Sequence, residues 1–134
     1  MENKIISFFD NDRFAKSVGV KLVKVAPGYA LAQLEITERH LNAVNIVQGG
    51  ATFTLADLAF AAAANSHGQI SLGISANISY FKPPQGKILT AEAKEVSANH
   101  RLANYNVDIF DENKDLIARY IGTVYRKKDR LPFD

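Results

Sequence analysis

Apolar and polar residues alternate along much of this chain, and one stretch breaks the rhythm. Residues 20–25 and 29–37 read as two strands joined by the turn dipeptide Pro27-Gly28. Ala30, Ala32, Leu34 and Ile36 share one face of the second strand, so the pair forms a hairpin. Later, Ile74, Ala76, Ile78 and Tyr80 alternate with Ser75, Asn77, Ser79 and Phe81 until Pro83-Pro84 ends the run. Strand-like segments follow at 87–97, 102–110 and 116–125, the middle one with Ala103, Tyr105, Val107 and Ile109 on one face. Their links are short and rich in turn residues, which makes these three antiparallel neighbours. At the start, residues 4–9 suit a short amphipathic helix. Asp10, Asn11 and Asp12 then offer caps to a second helical turn at 13–17 that Gly19 ends.

The break comes at residues 51–66, where Ala, Leu and Phe run on without internal Gly or Pro. This composition predicts a long helix, entered through Gly49-Gly50. Phe53, Asp57, Phe60 and Ala64 fall on one face, and Leu55, Leu58, Ala59 and Ala62 cover most of the rest. A helix apolar nearly all round is expected to be buried. The order of helices, hairpin, long helix and four strands gives an α+β fold with one antiparallel sheet wrapped around one helix. A single domain spans residues 1–134.

Within this frame Asp57 stands out. Burying an ionised carboxylate without a partner costs several kcal/mol, so an acid in the middle of a buried helix is either a catalyst or a cap for a neighbouring loop. Composition narrows the field. With 22% charged and 47% hydrophobic residues and a net charge of +2, the chain is an ordinary globular protein with no nucleic-acid surface. The absence of Cys removes disulfides, thiolate ligands and cysteine nucleophiles, and His40, His67 and His100 show no metal spacing. The N-terminus lacks a long apolar core and a small-residue cleavage site, and no apolar run reaches membrane length, so the expected location is cytoplasmic. Nothing calls for a metal or a redox cofactor.

The pattern Asn42-x-x-Asn45-x-x-Gln48-Gly49-Gly50-x-x-x-x-Leu55-Ala56-Asp57, followed by Ile78-Ser79-Tyr80-Phe81-Lys82-Pro83 and by residues 118–124, resembles the hotdog-fold acyl-CoA thioesterases of the phenylacetate-degradation type, in the 4-hydroxybenzoyl-CoA thioesterase superfamily. The opening segment from Arg13-Phe14 to Gly28-Tyr29 fits the same family. The resemblance implies a hotdog fold of five or six antiparallel strands around a long central helix, and an enzyme that cleaves acyl-CoA to a carboxylic acid and free CoA. Coenzyme A then enters only as part of the substrate. It also implies that Asp57 is the general base or nucleophile, that the Gly49 backbone N–H polarises the thioester carbonyl, and that Asn42 helps place the water or the acid. These roles make physical sense, because a helix N-terminus offers unpaired N–H groups and partial positive charge to a developing oxyanion. Gly49 and Gly50 would let substrate approach the backbone.

The chain departs from that family at three positions. Gln48 stands where His is usual, and its amide can donate but cannot titrate. Asn45 replaces a Gly. Gly73 replaces a Ser or Thr whose hydroxyl assists the attacking water, leaving Ser75 or nothing to take its place. A non-catalytic hotdog module that binds acyl-CoA is therefore the alternative reading, and a hydratase ranks behind both because no His lies beside Asp57 in the sequence.

Phe53 and Phe60 are candidates for an acyl pocket, though core packing explains them equally well. Lys82 and Arg101 are candidates for the phosphates of coenzyme A, against the alternative of ordinary solvated surface. His67, at the helix end, is expected to meet terminal carbonyls.

Gly49 and Asp57 are eight residues apart. At ~1.5 Å per residue their backbones are separated by roughly 12 Å along the helix. A thioester needs its oxygen about 3 Å from the N–H and its carbon about 3–3.5 Å from the attacking group. One subunit cannot do both jobs, so a homodimer with sites shared between antiparallel central helices is expected. The resemblance implies the same dimer, often doubled to a homotetramer.

Overall fold

The computed structural model describes residues 1–133. Helix α1 (Glu2–Phe9) and the short α2 (Arg13–Val18) lead into strands β1 (Val20–Ala26) and β2 (Tyr29–Glu35). The long α3 (Gly49–Asn65) follows a single 3-10 turn at Glu38–His40, and β3 (Gln69–Tyr80), β4 (Ile88–Ala98), β5 (Leu102–Phe110) and β6 (Leu116–Arg130) complete the chain. All ladders are antiparallel, in one six-stranded sheet of order β1-β2-β4-β5-β6-β3. The expected α+β sheet around a helix is therefore present, with six strands.

The local chemistry explains each boundary. Asp12 caps α2 by accepting the Ala15 N–H at 3.0 Å, and Gly19 closes it at φ +100°, where a side chain is disfavoured. The concave face of the sheet carries Ala30, Ala32, Leu34, Leu89, Ala91, Ala93, Ala103, Val107 and Ile109, all buried. Alanines here and at Ala56, Ala59, Ala62 and Ala63 of α3, which are also buried, let the helix settle close against the strands.

Two strands run longer than expected, β3 starting before residue 74 and β6 ending beyond residue 125. Irregularities between Gln69 and Ser71 and between Gly73 and Ser75 shift the pairing of β3 with β6, so that Leu72 is exposed while Ile70 and Ile78 pack against the core. The charged end of β6 pairs with that first part of β3, Gln69 opposite Arg130 and Ser71 opposite Arg126. Among the described residues β3 pairs only with β6, which leaves its other edge open, with Leu72 and Ile74 exposed. No helix among the described residues is long and apolar enough to cross a membrane.

Candidate active site

The segment before α3 is held from several sides. Buried His40 accepts the Thr37 N–H on Nδ1 at 2.9 Å, and its Nε2 lies 2.6 Å from the Val18 carbonyl oxygen. That pair of contacts selects the tautomer with hydrogen on Nε2 and ties the segment to the end of α2. The His40 carbonyl in turn accepts the Gln48 N–H at 2.8 Å. Between them, Asn42 Oδ1 accepts from the N–H groups of Val44 and Ile46 at 3.0 and 3.1 Å. Asn42 thus spends its oxygen on its own turn. Asn45 sits at φ +61°, in the left-handed region that asparagine tolerates best after glycine, which explains how it can stand where the resembling family has Gly.

At the head of α3 the Gln48 side-chain oxygen caps the helix by accepting the Gly50 N–H. A Cβ at Gly50 would lie 2.6 Å from that oxygen, so the cap needs glycine. A Cβ at Gly49 would come within 3.0 Å of the Tyr80 ring and hydroxyl, and that hydroxyl donates to the Gly49 carbonyl at 2.9 Å. The Gly49 N–H itself has no hydrogen-bond partner among the described residues. It is a free donor at the positive end of a helix of 17 residues. Ile46, Val47, Tyr80, Phe81 and Lys82 line a 370 Å³ cavity beside it.

Asp57 departs from expectation. It is exposed in the single chain, not buried. The sheet and the two short helices cover most of α3 but leave a stripe through Gly50, Phe53, Thr54, Asp57 and Ala61 that is exposed or only half-buried. Nor does Asp57 cap a loop: its Oδ1 accepts from the Tyr120 hydroxyl on β6 at 2.8 Å, and Oδ2 has no partner among the described residues. Burial first, then the hydrogen bond and the charge of Asp57, hold the Tyr120 phenol far above its ordinary value of 10, so it acts as a donor throughout the working pH range. Asp57 lines a 420 Å³ cavity with Phe60, Gly73, Leu72, Val124 and the α1 residues Phe8 and Phe9.

A family model described as the thioesterase superfamily matches residues 45–118, from the loop before α3 into β6. The chain belongs to the thioesterase superfamily. A putative esterase of Archaeoglobus fulgidus is 39% identical over 92% of this chain and 81% of its own length. The acyl-coenzyme A thioesterase PaaI of Escherichia coli is 29% identical over 90% and 86%. The solved structure of the E. coli PaaI protein from the phenylacetic acid degradation operon matches with a TM-score of 0.88 at 27% identity, covering 92% of this chain and 91% of that one. The sheet around α3 is thus the hotdog fold, and the protein is a thioester hydrolase.

In this thioesterase the residues singled out from sequence divide into three neighbourhoods. Asp57, Phe60 and Gly73 share the 420 Å³ cavity, with Phe53 half-buried against Tyr120 at a ring separation of 5.3 Å. Gly49 and Lys82 share the cavity at the head of α3, where Lys82 is already paired with Asp115 at 2.7 Å. Gln48 and Gly50 line a third cavity with Phe14, Arg39 and Thr54. Two candidates lie apart. Ser75 is exposed on β3 opposite Thr123 and lines none of these cavities. Arg101, in the β4–β5 turn, donates to the Tyr125 hydroxyl at 2.8 Å, at the end of the sheet opposite Lys82.

His67 also differs from expectation. Its Nε2 meets Glu95 of β4 at 2.9 Å, whereas helix-end carbonyls were expected. Sequence reasoning passed over Tyr120 and His40. An inward-facing tyrosine on a strand was the available signal, since a buried phenol needs a polar partner.

Proposed function

We propose that this thioesterase cleaves acyl-coenzyme A to a carboxylic acid and free CoA in sites shared between two copies of the chain. Asp57 of one copy is the general base or nucleophile, and the Gly49 N–H of the other polarises the thioester carbonyl. The observation that carries this reading is a free helix-terminal N–H on the same helix as an aspartate with an unpartnered oxygen beside an apolar cavity. Their separation of roughly 12 Å is too long for one carbonyl to bridge. A second copy laid antiparallel along the exposed stripe of α3 brings the two groups together and covers Phe53 and Asp57. The open edge of β3, with exposed Leu72 and Ile74, gives the same copy a strand to pair with. Homodimers of this kind, doubled to tetramers, are the expected assembly.

In the general-base form, Asp57 takes a proton from water as the oxygen attacks the carbonyl carbon. The oxyanion forms against the Gly49 N–H, and its collapse expels the thiolate, which takes the proton back from Asp57. The names of relatives that act on CoA thioesters support the same substrate class. Replacing Asp57 by Asn keeps the shape and removes the base. Thiol release from a panel of acyl-CoAs is expected to fall about a hundred- to ten-thousand-fold. Sedimentation is expected to show the assembly unchanged. Wild-type turnover by Asp57→Asn would remove Asp57 from the mechanism.

A further inference from the structure

We infer that Tyr120 is a positioning residue for Asp57: its buried hydroxyl holds Oδ1 and leaves Oδ2 as the oxygen that works on the substrate. This rests on the reading of Asp57 as base or nucleophile. A free aspartate turns readily about its last torsion, which is broad and roughly two-fold. Here one oxygen is held at 2.8 Å by a donor on a fully buried ring.

The immobility of that donor is built into β6. Tyr120 is fully buried, opposite Val107 on one side and Ile78 on the other. Its ring is wedged between Phe53 and Phe60, each 5.3 Å away between centroids. Gly122 makes the space: a Cβ there would lie 2.6 Å from the Phe60 ring and 2.9 Å from that of Tyr120. Such a clamp fixes the phenol oxygen, and through it the carboxylate, without loop participation. Gly73 brings no hydroxyl to the same cavity, and Tyr120 supplies the one hydroxyl bound to Asp57 among the described residues.

The test compares two buried tyrosines of the same protein. Tyr120→Phe removes the hydroxyl and keeps the ring. Tyr105→Phe removes the Tyr105 hydroxyl that donates to Glu95 at 2.8 Å, away from Asp57. Both variants are assayed for thiol release, melted, and crystallised. Tyr120→Phe is expected to lower kcat about ten- to a hundred-fold with KM nearly unchanged. Its crystals show the Asp57 carboxylate in more than one orientation. Tyr105→Phe lowers the melting temperature but leaves kcat and KM in place.

Equal kinetics in the two variants, or a single unchanged Asp57 orientation in Tyr120→Phe, overturns the inference. An active Asp57→Asn overturns the reading beneath it instead. An inactive Asp57→Asn beside an unaltered Tyr120→Phe sinks the positioning role alone.

Discussion

The two ends of α3 treat polar groups in opposite ways. At the C-terminal end Asn65 donates to the carbonyls of Ala61 and Ser71 at 2.8 and 3.2 Å and accepts the Ser71 N–H at 2.9 Å. Ser66 accepts the Gly28 N–H at 2.7 Å and donates to the Ala63 carbonyl, and His67 and Tyr105 both meet Glu95. Toward the N-terminal end the Gly49 N–H is free, at mid-helix Asp57 has one oxygen held and one open, and both lie on or near an uncovered stripe. One end spends its polar atoms on registering helix against sheet. The other leaves them available to a substrate or to a second copy. Unpaired groups beside fully paired ones mark where the fold gives up satisfaction for chemistry.

The sharpest way to break this contrast is to block the free donor. Gly49→Ala places a methyl within 3.0 Å of the Tyr80 ring and hydroxyl, which must move, and the N–H loses its open approach. If that N–H receives the oxyanion, kcat/KM for acyl-CoA falls by about a hundred- to a thousand-fold. Melting changes little, because alanine suits a helix at least as well as glycine. Wild-type kcat/KM in this variant would show that the donor at the head of the helix is spare.

At the opposite end the expected pattern is reversed. Ser66→Ala leaves the buried Gly28 N–H without its partner and unties the β1–β2 turn from the helix. An unsatisfied buried donor costs about 1–3 kcal/mol, which should appear as a melting temperature lower by several degrees. Turnover per folded molecule is expected to stay at the wild-type value. A kinetic defect as large as the stability defect would mean that the two ends are coupled through the helix.

The split between the ends was only partly legible in the sequence. Strand alternation located β2 and β5, because one face of each is buried in the core and side chains in strands alternate faces; in β3 it located the strand although Ile74, Ala76 and Tyr80 are exposed in the single chain. Ile70 and Leu72 continue the even-numbered alternation of Ile74, Ala76 and Ile78, so the start of β3 was legible too; what alternation does not show is the bulge after Gly73, which leaves Leu72 exposed. Asp57 was read as buried because Ala and Phe on α3 do not reveal which stripe the sheet leaves bare. Alanine is as acceptable at half-buried Ala61 as at buried Ala62. The partner of Asp57 was out of reach for another reason: Tyr120 lies 63 residues away, and only the closure of the sheet on β6 brings the two together. By contrast the glycine pair was readable, since close approach and helix entry both demand it, and the structure adds that a Cβ at either position would displace a side chain, Tyr80 at Gly49 and the Gln48 cap at Gly50.

The smallest expected effect concerns Glu95, which joins β4 to the helix end. Burial pushes its carboxyl upward, but hydrogen bonds from Tyr105 and His67 and the charges of His67 and Arg126 outweigh it and hold the group below its ordinary value of 4.5. A carboxyl lowered on folding stabilises the protein above its unfolded-state value. That contribution disappears as pH falls through the lower folded-state value. Glu95→Gln keeps the shape and an acceptor for Tyr105 but removes the charge, so its cost at pH 7 is about 1 kcal/mol, or a few degrees of melting temperature. The gap between wild type and variant should be present above about pH 5 and close as the solution is acidified below about 4.5. Thermal melts of both proteins over that range measure it directly. A gap that persists unchanged at pH 3 would mean that Glu95 stabilises by packing and not by charge, leaving Ser66 and Asn65 as the polar anchors of that end.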